Sequence, residues 1–228
     1  MNVGVLLAAG ASRRMGRTKS LVRSHGQSFF AHGVRHLWSA CDAVVVVLGS
    51  DARRVRAEAE AEFVALVGRG ALHGDVAQAR RHGADALEVR FVVNSKWRSG
   101  MLGSARLGLA AAARLKPSAI LLLPVDHPGI RSATVQALAA AMQAALGSYA
   151  GAGRGARARS SPFAYALVPR YRRRRGHPLV LSPALAKAVI ADRGAGDLSD
   201  AVRRNARLIG FLDCADPGIV RNRNRPED

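Results

Sequence analysis

At 228 residues, 49% hydrophobic and 22% charged, the chain has ordinary globular composition and suits one compact domain over residues 1–228. No apolar run reaches bilayer-spanning length, the start MNVGVLLAAG has no basic leader, and Cys41 and Cys214 make neither a disulfide framework nor a metal spacing. Membrane and secreted disulfide-rich classes are thereby excluded, and a cytoplasmic protein is expected. The net charge of +19 favours acidic partners such as nucleotides, other phosphorylated small molecules or nucleic acid. Lysine occurs only at Lys19, Lys96, Lys116 and Lys187, and so arginine-heavy a composition also arises from genome bias.

Short apolar runs alternate with longer amphipathic ones, which predicts βαβ units and an α/β fold with a mainly parallel sheet. Strands are expected at Val3–Ala8, Ala43–Leu48, Val89–Val93, Ala119–Leu123 and Phe163–Val168, with later ones near Pro178–Leu181 and Leu208–Leu212. VVVVL and AILLL are apolar at consecutive positions, as strands covered on both faces require. Helices are expected at Ser28–Ala40, Asp51–Ala61, Gly74–Leu87, Gly103–Leu115, Ser132–Leu146, Pro183–Ala191 and Leu198–Asn205. Ser132 is the expected N-cap of its helix and Gly147 the expected stop. The Gly/Arg-rich stretch Ala150–Ser161 is expected to be a mobile loop within the single domain.

The first strand runs into Ala9-Gly10-Ala11-Ser12-Arg13-Arg14-Met15-Gly16-Arg17-Thr18-Lys19. Ligands bind α/β sheets at carboxyl ends of strands, and here Gly10 and Gly16 admit an anion while four cations neutralise it. That charge suits a triphosphate, although the spacing is neither a Walker A loop nor a dinucleotide fingerprint, and the alternative is a surface loop with incidental arginines. Asp126, between prolines after Ala119–Leu123, is placed to hold a divalent cation or to cap the helix at Ser132. A third strand end leads into Asn94–Ser104, where Trp97 is either core or pocket wall and Ser104 either a ligand contact or a helix N-cap. The run RYRRRRG before His177 suits phosphates of any acidic partner, although aromatics are only 5% and no nucleic-acid-binding motif stands out. His32 and His36 lie four apart without further ligands in sequence and read as surface or half-buried residues.

LLAAGASRRMGRTK resembles the LAAGxSxRMGxxK signature of the MobA-like nucleotidyltransferases, especially the molybdenum cofactor cytidylyltransferases. The resemblance extends with gaps along the chain and implies a Rossmann-like nucleotide-diphosphosugar transferase fold. It also implies that Ala8, Ala9, Gly10, Ser12, Arg14 and Lys19 hold the triphosphate. Asn94, Gly100, Gly103 and Ser104, with Gly108 following, match the base- and ribose-recognition segment. PVDHP resembles the family's PxDxP element, in which Asp126 would bind Mg²⁺. RGHP resembles the acceptor-side element, placing Arg175, Gly176 and His177 against molybdopterin, although His177 also reads as a structural turn histidine. The tail departs from the aspartate-rich cytidylyltransferase pattern: Asn222-Arg223-Asn224 before Pro-Glu-Asp resembles the guanylyltransferase branch, with Asn222 and Asn224 as the implied metal ligands. Relatives usually continue into a short helix past the position of Asp228.

The resemblance thus implies a Mg²⁺-dependent transfer of CMP from CTP to the terminal phosphate of molybdopterin, with Arg14, Lys19 and Asp126 as the catalytic set. Expected partners are the two small substrates and a molybdoenzyme or chaperone, with neither membrane nor nucleic acid. Three rivals stand beside it: guanylyl transfer from GTP or transfer to another phosphorylated acceptor, an oxidoreductase on the same fold, and a non-catalytic nucleic-acid-binding module. The oxidoreductase would call for a dinucleotide or flavin signature, and none is recognisable.

Overall fold

The computed structural model describes residues 1–10, 18–67, 72–73, 76–81, 84–151 and 163–223. In chain order, β1 (Asn2–Ala8) is followed by a 3-10 turn (Lys19–Leu21) and a small hairpin of β2 (Arg23–Ser24) and β3 (Gln27–Ser28). Then come α1 (Phe29–Trp38), β4 (Ala43–Leu48), α2 (Ala52–Val67), β5 (Leu72–His73), β6 (Val76–Arg81) and β7 (Ala84–Val93). A 3-10 turn (Trp97–Ser99) leads into α3 (Met101–Ala113), β8 (Ala119–Pro124) and α4 (Ser132–Gly151). The last part holds β9 (Tyr165–Tyr171), β10 (Arg174–Arg175), β11 (Leu179–Leu181), α5 (Pro183–Ala191), α6 (Leu198–Asn205), β12 (Leu208–Asp213) and the turn Pro217–Ile219.

One mixed sheet runs β10-β9-β11-β8-β1-β4-β7-β6-β5, with β12 beside β9. Its centre, β8-β1-β4-β7, is parallel, and β11 enters antiparallel between β8 and β9. The expected α/β fold with a mainly parallel sheet is therefore present. Alternate residues of β1 and β4 serve two cores. Leu6, Ala8, Val44, Val46 and Leu48 pack with residues of α1, α2 and α4, whereas Val5, Leu7, Val45 and Val47 pack with residues of α3, α5 and α6. Helices on both faces explain the unbroken apolar runs. Helix α3 comes in very close: a Cβ on Gly108 would lie 2.5 Å from Val5 Cγ1 and 2.7 Å from Val47 Cγ2. Gly108, expected to follow the base-recognition segment, is thus a packing glycine.

Several expectations need correction. Gly74–Leu87 is not a helix; its described backbone forms β6 and the start of β7, an antiparallel pair in which Arg81 stands opposite Ala84. Alanine and arginine favour helix locally, but pairing with the established strand decides the outcome, and the intervening His82-Gly83 is a hairpin-compatible sequence. Helix α4 runs past Gly147 to Gly151, because nothing crowds that glycine and no left-handed cap forms there. The expected loop from Ala150 therefore begins with two helical residues, and 152–161 lie outside the described residues. Among the described residues no helix is long and apolar enough to cross a membrane.

Candidate active site

The sheet order reverses direction at β1, between β4 and β8, and the strand ends there open onto a cavity of about 520 Å³. One side is the end of β1, from Leu7 to Gly10, with Lys19 and Ser20. A second is the start of α3, where Trp97, Gly100, Met101 and Ser104 present a helix N-terminus that favours anions. The third is Pro124–His127 beyond β8, joined by His177 and Asn222.

Asp126 is the charged centre of this cavity. Lys19 Nζ donates to its Oδ2 at 3.4 Å, and both side chains are largely sheltered from solvent. On the other carboxylate oxygen, Oδ1, His127 Nε2 stands 3.8 Å away. The His127 and His177 rings lie 4.9 Å apart, tilted by 58°. Burial pushes the His127 pKa below its ordinary 6.5 even against the pull of Asp126. His177 is pushed further, to about 4, by burial first and by His127 second, and its buried Nδ1 has no hydrogen-bond partner among the described residues. At neutral pH the pair is uncharged, so among the described residues the positive side chains lining the cavity are Lys19 and Arg98. Among the described residues no group of three His, Cys, Asp or Glu side chains could enclose a metal. A hard cation at Asp126 would thus rely on this carboxylate, the Asn222 amide, water and substrate oxygens, a donor set that fits Mg²⁺.

Of the residues expected at the site, Ala8, Ala9, Gly10, Lys19, Gly100, Ser104, Asp126, His177 and Asn222 line one cavity. Ser12, Arg14 and Asn224 lie outside the described residues. Asn94 is buried behind the wall: its Nδ2 donates to Ser104 Oγ at 2.9 Å and its Oδ1 accepts from the Lys96 N–H. Gly103 is likewise not among the lining residues. Ser104 is not a helix cap, because α3 begins earlier at Met101 with Gly100 at its N-cap. Gly176 is a packing position, where a Cβ would meet Ile219 O at 2.5 Å. Arg175 is exposed on the β9–β10 edge, stacked over Phe211 at 5.2 Å, and only His177 of the Arg-Gly-His segment reaches the cavity.

Asp216, His36 and His127 were not singled out as site residues in the sequence. Buried Asp216 accepts from the Arg131 N–H (2.8 Å), Thr134 Oγ1 (2.7 Å) and the Gly218 N–H (2.9 Å). It takes the capping role read for Ser132, and as the alternative to cation binding for Asp126, placing its charge at the start of α4. Asp-Pro-Gly at 216–218 was a readable turn signal, but its distant partner was not. His36 is buried, not superficial; its Nε2–H donates to Pro128 O at 3.0 Å and its Nδ1 accepts from Ser132 Oγ. His32, also buried, stacks on it at 6.0 Å and donates to Ser24 O. The histidines are interior because they brace the loop after Asp126 and the β2–β3 hairpin. His127, the unnamed position of PxDxP, is the third.

The domain model described as a MobA-like NTP transferase domain matches residues 4–208. The chain belongs to the MobA-like NTP transferase family. Within reach of this MobA-like chain, the nicotine blue oxidoreductase of Paenarthrobacter nicotinovorans is 35% identical over 219 residues, covering 93% of this chain and 87% of the relative. Among solved structures, a nucleotidyl transferase from Methanothermobacter thermautotrophicus superposes with a TM-score of 0.67 at 20% identity, over 100% of this chain and 94% of the other. The molybdopterin-guanine dinucleotide biosynthesis protein A of Archaeoglobus fulgidus does so with 0.55 at 16% identity, over 100% and 94%. At these identities the two structures establish the shared fold.

Proposed function

We propose that this MobA-like chain is a cytoplasmic enzyme that moves CMP from CTP to the terminal phosphate of molybdopterin, releasing pyrophosphate. The observation that carries the reading is Asp126 set against Lys19 inside the cavity lined by the end of β1, the start of α3 and His177. A phosphate oxygen of the acceptor attacks the α-phosphorus in line, and the bond to the β-phosphate breaks as pyrophosphate leaves. The nucleophile is already anionic, so no general base is needed and catalysis rests on positioning and charge neutralisation. Lys19 balances charge on the triphosphate and on departing pyrophosphate, supported by Arg14 from the loop after β1. The N-terminus of α3 offers further donors through Gly100 and Met101. Asp126 and Asn222, with Asn224 beyond the described residues, would hold Mg²⁺, which neutralises phosphate charge when bound. The neutral His127–His177 wall presents a ring-shaped, weakly polar surface to the acceptor.

Pyrophosphate release, measured with CTP, GTP and other nucleotides, with and without molybdopterin, tests the reading. Release is expected only with CTP and molybdopterin together, and Asp126→Asn should lower it by about 10²–10³-fold without lowering Tm. Release with GTP would move the assignment to guanylyl transfer, the branch resembled by Asn222-Arg223-Asn224. Release requiring a different phosphorylated acceptor would replace molybdopterin.

The 35% identical relative supports a second reading, an oxidoreductase on the same fold. In that case the cavity would take a reduced cofactor at its β1 end and an acceptor beside His177. Reduction of nicotine blue by a nicotinamide donor, with no pyrophosphate formed under any condition, would select it.

A further inference from the structure

The turn that follows β4 is fastened to the cavity wall on both sides. Strand β4 lies parallel to β1, so the turn Gly49-Ser50-Asp51 comes to sit beside Ala9. The Ser50 N–H donates to Ala9 O at 3.1 Å. Gly49 presses against the same carbonyl: a Cβ there would lie 2.5 Å from Ala9 O and 2.7 Å from Trp97 Cβ, so the turn is wedged in place. The other fastening lies next to Lys19. Thr18 Oγ1 donates to Asp51 Oδ2 at 2.8 Å, immediately before Lys19 and Ser20, which line the cavity. A single turn thereby holds both cavity-lining pieces, Ala9-Gly10 and Lys19-Ser20.

Both partners of that bond are diverted from their ordinary duty. Asp51 stands directly before α2, and its carbonyl accepts from the Val55 N–H at 2.9 Å. An aspartate at that position normally spends its carboxylate on its own helix. Here the backbone is left-handed, with φ of 56°, and among the described residues the carboxylate accepts from Thr18 alone. Thr18 is itself the N-cap of the Lys19–Leu21 turn, yet its side chain makes no cap bond there. By charge alone, a carboxylate this near the segment of Lys19 opposes the binding of phosphate, so what it contributes is geometry. We propose that Asp51 is a positioning residue for the polyphosphate end of the nucleotide. Through Thr18 it fixes Lys19 and Ser20 relative to Ala9 and Gly10, so that the site favours nucleoside triphosphates over monophosphates. This rests on the reading of the cavity as a nucleotide site with Lys19 on the triphosphate. A wall held in place before the ligand arrives spares binding the cost of ordering it.

Substitutions on both sides of the bond separate position from charge. Asp51→Asn keeps an acceptor oxygen on a residue that tolerates the left-handed backbone, but removes the charge. Asp51→Gly keeps the backbone and removes the acceptor. Thr18→Ser keeps the hydroxyl, and Thr18→Val removes it. Titration calorimetry in Mg²⁺ compares CTP with CMP and GTP with GMP, and thermal unfolding shows that each variant is folded. For whichever base binds, Kd for the triphosphate should rise about fivefold in Asp51→Gly and in Thr18→Val, the equivalent of one ordinary hydrogen bond. Kd for the monophosphate should stay where it was. Thr18→Ser and Asp51→Asn should bind the triphosphate at least as tightly as the wild type, and Thr18→Val with Asp51→Gly should be no weaker than either alone. Triphosphate binding in Asp51→Gly that matches or exceeds the wild type overturns the proposal, because Asp51 would then act only through its charge or not at all. An equal loss for triphosphate and monophosphate overturns it too, as a general change in the cavity. If the wild type binds neither triphosphate, the reading of the cavity as a triphosphate site fails together with it.

Discussion

His177 offers the most quantitative test of the site's electrostatics. Its pKa is held near 4, against 6.5 for the exposed side chain, mainly by burial and then by the neighbouring His127. As pH falls below 6.5 the unfolded chain binds a proton at this residue while the folded chain does not, so stability must fall. The contribution is fully present above pH 6.5 and lost progressively down to about 4. At about 1.4 kcal/mol per pH unit, the whole window is worth about 3 kcal/mol. The perturbation is His177→Gln, which removes the titration and keeps a polar side chain. Urea unfolding would be followed by tryptophan fluorescence and far-ultraviolet circular dichroism at several pH values between 4 and 7.5, for wild type and variant. Whatever fixed cost the substitution brings, the difference between the two stabilities should be flat above pH 6.5. Below it, the wild type should lose ground with a slope approaching 1.4 kcal/mol per unit. His32, His36 and His127 titrate in the same sense but appear in both proteins and largely cancel. A difference curve that stays flat across the window would refute the claim that His177 is buried neutral.

Two structural predictions stand beside it. Asp216→Ala strips acceptors from the Arg131 N–H, Thr134 hydroxyl and Gly218 N–H, so it should cost about 3 kcal/mol in urea unfolding; a change under about 0.5 kcal/mol would show that water replaces it fully. Gly108→Ala places a methyl 2.5 Å from Val5 Cγ1 between α3 and β1, and the strain should outweigh the gain in helix propensity by about 1–3 kcal/mol. A higher Tm in that variant would mean the helix can lift off the sheet without loss.

The central sheet was legible because its strands are apolar on both faces. β1, β4 and β8 begin and end within a residue or two of their expected bounds. The β6–β7 pair was not legible, since its alanines and arginines prefer helix and only the neighbouring strand makes them extended. In the site, Asp126 and Lys19 were readable from strand ends and motif, and they do meet. Asn94 and Gly176 were in the right place for the wrong reason: one amide is spent on Ser104 and Lys96, and the glycine accommodates the Ile219 carbonyl. Asp216 and His36 act across about 85–95 residues of sequence, beyond any local pattern. Their burial, like that of His127, is a property of the packed loops.

The segment from Asp216 to Arg223 reaches back to every part of the loop after β8. It caps α4, abuts Gly129, backs Gly176 and His177, and holds the Asp126 carbonyl. During synthesis β1 is made well before this segment. A nascent chain can therefore build most of the sheet and still present Asp126 on a loop without its clasp. Competence would be acquired abruptly, when the final turn docks, not gradually as strands accumulate.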